Sequence, residues 1–250
     1  MFTKKEIVLE LKKQLAIDFN CRSEDFDCED NTLTLSAKND GRRVYSENKA
    51  FFSMATMGKG AVVSADEILH PFLKDFIKDK KGIWLFEQHN LFEIEKEVQK
   101  HGKTLFQTHH LFLPDTKPLD IKPDFEVKWF EEKDIGQFYG DKRFPNAFCE
   151  KYEPERPDVL GVCAVIGGEI AGMAGCSADS KLMWQIGIDI MPKYRGKGIG
   201  TALVGLLREE IFKRGAIPFY GTGLANIHSQ NIALKCGFYP AWVEIETLDK

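Results

Sequence analysis

The sequence predicts an α/β protein with a mixed sheet, divided into two domains. Runs that alternate apolar and polar residues mark strands, and runs with apolar residues three and four apart mark the helices between them. A glycine-rich loop, "RGKGIG" (195–200), stands between a strand-like and a helix-like run. Residues 114–124 contain three prolines, a density typical of a linker. We therefore expect domains over residues 1–120 and 121–250.

The first half is predicted to contain both helices and strands. An amphipathic helix is followed by an exposed strand that ends at an Asp-Gly turn, and Gly102 closes the last helix. The predicted elements are a helix (5–19), a strand (31–40), a strand-like run (51–65), a helix begun by Ser64 or Asp66 (65–81), a strand "GIWLFEQ" (82–88), a helix (91–102) and a strand ended by Pro114 (104–114).

The second half shows a clearer pattern. Two strands meet at Gly167-Gly168, which is a hairpin signal. Strands and helices then alternate after the glycine loop. The predicted elements are a strand (125–130), the start of a helix (131–141), an irregular segment (142–157), strands (159–168, 169–179 and 182–190), a helix (200–215), a strand (216–224), a helix (227–237) and a strand (238–247).

The two halves suggest an internal duplication. Residues 51–114 and 182–247 share the predicted order strand, helix, strand, helix, strand. The first half has no glycine loop, so it would be a degenerate copy without a phosphate site. Because no sequence identity is visible between the halves, two unrelated α/β segments remain the alternative.

Composition excludes several classes of protein. A net charge of -4 gives no long-range attraction to nucleic acid or to an anionic membrane. No signal peptide and no run of about 18 apolar residues is visible. The six cysteines form no CxxC pairs and no zinc spacing, so we expect no metal. We expect a cytoplasmic monomer or homodimer with no nucleic-acid or membrane partner.

The glycine loop is predicted to bind a phosphate. A strand, a glycine loop and a helix place unpaired backbone N–H groups at a helix N-terminus, which attracts anions. Arg195 and Lys197 add positive charge. The loop lacks the GxxxxGK[ST] pattern of P-loop nucleoside triphosphatases, and its third glycine comes one position too early for a dinucleotide-binding loop.

Two motifs together resemble the GNAT superfamily of acetyl-coenzyme A-dependent N-acetyltransferases. The first is R-x-x-G-x-G, formed by Arg195, Gly198 and Gly200. The second is "NIHSQNIALKCGF" (226–238), in which an Asn opens a helix and Gly-Phe closes it. The resemblance covers about residues 125–250 and implies a GNAT fold in the C-terminal half, with acetyl-CoA as co-substrate.

The resemblance also implies where acetyl-CoA binds. Its pantetheine arm would run between the strands ending at Ile190 and near Leu224, which splay apart. One backbone N–H between Ile188 and Ile190 would hold the acetyl carbonyl. Asn226 would contact the arm, and Ser229 would either do the same or cap its helix. The diphosphate would rest on the loop residues Arg195, Gly196, Lys197, Gly198, Ile199, Gly200 and Thr201.

The proton-transfer groups are less clear. The family often uses a Tyr in the second motif as general acid, and here Ala233 holds that position. Tyr239 is our candidate acid, and Tyr220 and Cys236 are nearby alternatives; strand packing is the other explanation for the two tyrosines. Because a coenzyme A thiolate is a good leaving group, the other alternative is that no dedicated acid is needed.

Asp189 is our candidate base, because a carboxylate in an apolar strand beside the acetyl site could accept the amine proton. Strand alternation could instead turn it to the opposite face, where it would pair with a Lys or Arg. The other carboxylates considered for this role are Glu150, Glu153 and Glu155, and the pair His109-His110 is expected to pack or cap.

The chain as a whole resembles a two-part GNAT group that includes zwittermicin A self-resistance acetyltransferases. "THHLFLPD" (108–115), "QIGIDIMPKYRGKG" (185–198) and "GFYPAWVE" (237–244) carry this resemblance. It implies transfer of an acetyl group to a primary amine of a small molecule, by direct attack in a ternary complex. The alternatives are a protein N-terminal or lysine acetyltransferase and a non-catalytic acyl-CoA sensor. The side chains expected at the acceptor, or else in the core, are Phe138, Tyr139, Phe144, Phe148, Tyr152 and Trp184.

Overall fold

A computed structural model describes residues 2–45 and 49–249, without the side chain of residue 249. The chain forms two compact units. The C-terminal unit combines the first residues, up to Ile7, with Phe112–Pro240. The N-terminal unit combines Val8–Leu111 with the chain from Ala241 onward.

The elements follow the predicted order over most of the described chain. The strands are β1 (Thr32–Leu35), β2 (Phe52–Thr56), β3 (Ala61–Ala65), β4 (Lys103–Leu105), β5 (His109–Pro114), β6 (Glu126–Glu131), β7 (Asp158–Ile166), β8 (Glu169–Ala178), β9 (Met183–Ile190), β10 (Ile217–Gly223) and β11 (Phe238–Asp249). The α-helices are α1 (Lys4–Asp18), α2 (His70–Ile77), α3 (Gln88–Gln99), α4 (Glu132–Ile135), α5 (Ile199–Lys213) and α6 (Ile227–Lys235). None of these helices is long and apolar enough to cross a membrane.

The sheet of the C-terminal unit has the strand order β5-β10-β9-β8-β7-β6. Strands β6 to β9 are antiparallel neighbours, whereas β9 and β10 are parallel. The predicted hairpin between β7 and β8 is confirmed: Gly167 and Gly168 have φ of 61° and 82°, as a two-residue type I′ turn requires. The mixed sheet predicted from the sequence is therefore confirmed.

The two faces of this sheet carry different cores. Helix α5 packs on one face against Val162 of β7 and Ile186 of β9. On the other face lies an aromatic cluster, which the alternation of each strand places opposite to α5. The buried members of this cluster are Ile135, Phe138, Phe144, Ala147, Phe148, Cys163, Val165 and Met173.

The N-terminal unit has its own strand pairings and its own core. Strand β3 pairs in parallel with β1 and antiparallel with β2, and β11 lies antiparallel to both β2 and β4. The buried faces of α2 and α3 contribute Leu73, Ile77, Ile94 and Val98 to a core with strands β2 and β3. Amphipathic helices of this kind bury one apolar stripe against the sheet.

One predicted strand of this unit is wrong. The apolar run "GIWLF" is a 3-10 helix, Gly82–Phe86, and not a strand. Leu85 is buried, but Ile83 and Trp84 are 47% and 51% exposed, so the run offers no continuous strand face. Because a short apolar run does not distinguish a strand from a turn, the pattern was ambiguous. Residues 51–114 therefore lack the strand order that suggested an internal duplication.

The proline-rich segment after β5 packs against α5. The side chain of Ile121 lies so close to Gly205 that a Cβ there would approach it to 2.5 Å. Arg208, fully buried in α5, donates to the carboxylate of Asp115 at 2.7 Å and to its carbonyl oxygen at 2.6 Å. The segment predicted as a linker is thus fixed along a helix of the C-terminal unit.

Candidate active site

The glycine loop connects β9 to α5 in a conformation that needs glycine. After a 3-10 turn at Pro192–Tyr194, Gly196 and Gly198 adopt φ of 74° and 80°. A Cβ at either position would meet no atom within 4 Å, so the left-handed backbone and not crowding selects glycine. Gly198 is the N-cap of α5.

The loop leaves backbone donors without partners. The first hydrogen bond of α5 is donated by the Ala202 N–H to the Gly198 carbonyl at 3.0 Å. Within the described chain, the N–H groups of residues 196–201 have no acceptor. Six unpaired donors at the start of a 15-residue helix form an anion site, which the helix dipole strengthens.

Positive side chains flank these donors. The Arg195 Nε donates to the Ile190 carbonyl at 3.0 Å, which fixes the guanidinium at the end of β9. The Lys197 ammonium lies 5.4 Å from the centre of the Tyr194 ring. Ile199, the first residue of α5, is by contrast buried in the core, so only its backbone can face the anion.

Strands β9 and β10 separate beside this loop. Their parallel pairing runs from Met183 with Ile217 to Ile186 with Tyr220, while both strands continue beyond it. The Ile217 N–H donates to the Leu182 carbonyl, so alternate residues of β9 direct their backbone groups towards β10. By this alternation the N–H groups of residues 188 and 190 open into the gap.

Helix α6 lies against the start of α5. Asn226 caps α6, accepting the Ser229 N–H at 3.2 Å, and the Ser229 hydroxyl is 2.8 Å from the Tyr220 hydroxyl. The Cys236 thiol donates to the carbonyl of Thr201 in the first turn of α5 at 3.2 Å. A Cβ on Gly200 would come within 3.2 Å of Ile232 in α6, which explains this glycine by close helix packing.

The sequence that forms these elements matches a known protein family. The acetyltransferase (GNAT) family model matches residues 121–238. This stretch, just under half of the chain, is similar to the GNAT acetyltransferases. No curated protein sequence matches the chain.

Solved structures similar to the chain are also described as acetyltransferases. A putative GNAT acetyltransferase from Novosphingobium aromaticivorans is 15% identical, with a TM-score of 0.48 over 60% of this chain and 68% of its own. A GCN5-related N-acetyltransferase-like protein from Streptococcus suis is 21% identical, with a TM-score of 0.47 over 65% and 69%. The putative acetyltransferase yncA from Salmonella typhimurium, solved with its cofactor acetyl-CoA, is 13% identical, with a TM-score of 0.37 over 51% and 94%.

The glycine loop of the matched stretch fits the co-substrate that the GNAT family uses. GNAT acetyltransferases use acetyl-CoA, whose diphosphate needs several hydrogen-bond donors. The unpaired N–H groups of residues 196–201 supply these donors, and two left-handed glycines shape the loop that presents them. Arg195 and Lys197 add positive charge. The assignment of each loop residue to a contact with acetyl-CoA stays a prediction.

Both carboxylate oxygens of Asp189 accept hydrogen bonds from uncharged donors. One carboxylate oxygen accepts the backbone N–H groups of Asn146 and Ala147 at 2.7 and 2.9 Å. The other accepts the Asn146 side-chain amide at 2.6 Å. Asp189 does point to the face opposite α5, but its partner there is a loop and not the Lys or Arg that the sequence suggested.

A row of glycines lies beneath this loop, and sequence reasoning missed it. Gly161, Gly175 and Gly187 are direct cross-strand neighbours on β7, β8 and β9. A Cβ on Gly187 would lie 1.7 Å from the Asn146 carbonyl oxygen, and one on Gly175 would lie 2.1 Å from that of residue 147. Glycine inside a strand is unfavourable unless another group approaches closely, so the presence of glycine inside all three strands was an available signal.

Tyr239 makes no described hydrogen bond to the glycine loop. Its hydroxyl is buried without a hydrogen-bond partner in the described chain, and the Lys4 ammonium is 4.3 Å from its ring centre. Burial, with the charge of Asp115, raises its pKa. Within the described residues, no hydrogen bond or ring contact joins Tyr239 to the residues predicted to hold acetyl-CoA, so its role as acid stays a prediction.

Two other groups near α6 keep their protons at neutral pH. Burial raises the pKa of Tyr220 and of Cys236 to about 12. Ala233, at the position where the family often has its acid, is fully buried. Among the aromatic side chains predicted for the acceptor site, Phe138, Phe144 and Phe148 are core residues, and Tyr152 is 53% exposed.

Proposed function

We propose that the protein transfers an acetyl group from acetyl-CoA to a primary amine of a small molecule, by direct attack in a ternary complex. The observation that carries this proposal is the anion site at residues 196–201 beside the gap between β9 and β10. A helix N-terminus rich in free donors suits the diphosphate, and a gap between parallel strands suits the narrow pantetheine arm.

Each part of the site has a role in the proposed acetyl transfer. When bound, acetyl-CoA supplies the acetyl thioester. The N–H groups of residues 196–201 hold the diphosphate, with Arg195 and Lys197 adding charge. The Ile188 N–H, which opens into the gap, stabilises the negative charge that develops on the acetyl oxygen. Asn226 and Ser229 border the gap at the start of α6.

The Tyr220–Ser229 hydroxyl pair is our preferred hydrogen-bond donor to the departing thiolate. Tyr220 is the last residue of β10 that pairs with β9, and its hydroxyl is 2.8 Å from that of Ser229 at the start of α6. A hydroxyl that stays protonated at neutral pH can donate a hydrogen bond to a thiolate. Tyr239, with no described contact to this region, is the second choice.

A small-molecule acceptor is supported by the resemblance of residues 108–115, 185–198 and 237–244 to the group that includes zwittermicin A self-resistance acetyltransferases. The competing proposal is an acyl-CoA sensor without turnover, and it rests on the buried Ala233 at the usual acid position. Both proposals need acetyl-CoA binding, and only the first needs release of free thiol.

Thermal unfolding with acetyl-CoA, coenzyme A, ATP and NAD tests the shared step. A ligand at 100 times its Kd adds about 2.7 kcal/mol to the free energy of unfolding, which raises the Tm by about 5–10 °C. We expect this shift with the two coenzyme A species only. A shift with ATP or NAD alone contradicts the proposal. Thiol release with a panel of small amines then separates an enzyme from a sensor.

A further inference from the structure

We infer that Asp189 is a positioning residue, which holds residues 144–149 as a wall on the side from which the acceptor amine arrives. This inference rests on the proposed acetyl transfer. It replaces the role of general base that the sequence suggested for Asp189. Two features carry it: the direction from which the acceptor approaches, and the way the wall is held.

The acceptor must approach β9 from the face opposite α5. The acetyl carbonyl is expected at the Ile188 N–H, and the side chains of Ile186, Ile188 and Ile190 point into the core beneath α5. That face is closed by packed side chains. On the opposite face, β9 is covered by residues 144–149, whose backbone contacts Gly187 and whose N–H groups bind Asp189.

One carboxylate on β9 holds the wall beside the gap, and a second on β7, two strands away, holds its far end. Asp189 accepts the N–H groups of Asn146 and Ala147, and Asp158 of β7 accepts the N–H of Cys149 at 2.9 Å. Between these two points the carbonyl groups of Asn146 and Ala147 lie on Gly187 and Gly175, and the Phe148 ring lies against Gly175 and Gly161. The buried rings of Phe144 and Phe148 anchor the wall in the aromatic cluster, and Asp189 fixes the exposed turn at Asn146 beside the gap.

The same contacts leave Asp189 little room to accept a proton. Its oxygens already accept three N–H donors at 2.6–2.9 Å. These donors occupy three of about four lone-pair sites of the carboxylate, so only one site stays open to an amine. The exposed Asn146 is the residue of the wall nearest to this carboxylate, so a small change at either residue moves the wall beside the gap.

Substitution from both sides of the contact separates the two roles. Asp189→Asn keeps the size but turns an N–H donor towards the N–H groups of the wall. Asn146→Asp leaves the Asp189 carboxylate in place and repels it. Asp158→Asn is the matched control, because it loosens the far end of the same segment on β7.

Steady-state kinetics over pH 6–9 and amide hydrogen exchange are measured for all four proteins. We expect Asp189→Asn and Asn146→Asp each to raise the acceptor KM about 10-fold, with the acetyl-CoA KM and the shape of the kcat–pH profile unchanged. Exchange at Asn146 and Ala147 should accelerate at least 10-fold in both. Asp158→Asn should accelerate exchange at Cys149 and keep the acceptor KM within threefold.

Two results overturn the inference. The first is that Asp189→Asn alone lowers kcat by about 100-fold or more and abolishes the acidic limb of the pH profile; this is the behaviour of a general base. The second is unchanged exchange at Asn146 and Ala147 in Asp189→Asn, which needs no activity to observe. Absence of turnover in the wild-type protein with every amine would count against the proposed function, and the exchange result would still decide the role of Asp189.

Discussion

Gly198 provides the sharpest test of the glycine loop, because two substitutions of equal size differ only in charge. Asn and Asp both tolerate the left-handed backbone better than other residues, and a side chain at Gly198 would meet no atom within 4 Å. Gly198→Asn and Gly198→Asp should therefore destabilise the fold equally, by about 1 kcal/mol. Any difference between the two variants in affinity for acetyl-CoA therefore reports the effect of the charge next to the anion.

The charge effect can be estimated by Coulomb's law. A carboxylate about 5 Å from one phosphate charge, at an effective dielectric constant of about 20, costs about 3 kcal/mol of binding, or roughly 100-fold in Kd. Calorimetric titration with acetyl-CoA should show this loss for Gly198→Asp relative to Gly198→Asn, and the gap should narrow as salt is added. Equal affinities for the two variants at low salt would refute the placement of the diphosphate on this loop.

Three further predictions concern stability, each measured by urea unfolding. Gly187→Ala places a Cβ 1.7 Å from the Asn146 carbonyl oxygen and should destabilise the protein by about 1–3 kcal/mol; no loss would show that the loop moves freely. Arg208→Met removes the buried donor to Asp115 and should cost about 2–3 kcal/mol, whereas an unchanged midpoint would make that contact unimportant. Burial, with the charge of a neighbouring carboxylate, raises the pKa of Glu246 from 4.5 to about 7. The folded state therefore holds this proton more tightly, and the free energy of unfolding should fall as pH rises from about 4.5 to about 7. Glu246→Gln should remove that fall, and an identical pH dependence in the variant would show that Glu246 does not cause it.

Elements with a strong local signal were predictable from the sequence. The glycine pair of the β7–β8 hairpin, the capping Asn226 of α6 and the loop before α5 each combine a residue type with the backbone geometry that requires it. Such signals act within a few residues, so a single sequence carries them. The match of residues 121–238 to the GNAT family confirms what two of these motifs suggested together.

Contacts between distant segments were not predictable in the same way. Asp189 and Asn146 are 43 residues apart, and nothing local indicates that a carboxylate in β9 binds the backbone of that loop. The strand predicted at "GIWLF" was wrong for the opposite reason. Its local pattern suits a strand, but tertiary packing fully buries only Leu85 among its large side chains. Strand alternation indicated the face opposite α5 as one possible direction for the Asp189 side chain, and the side chain does lie there. It did not indicate which residues Asp189 binds on that face.

The last strand has a consequence for how the protein is made. The N-terminal unit contains Val8–Leu111, yet its sheet includes β11, in which Glu244 binds the buried Arg43 at 2.9 Å. A ribosome adding about 5–20 residues per second needs roughly 6–26 s to travel the 129 residues between Leu111 and Ala241. During that interval β2 has an open edge and Arg43 lacks one of its partners. The part of the chain that is synthesised first is therefore completed last.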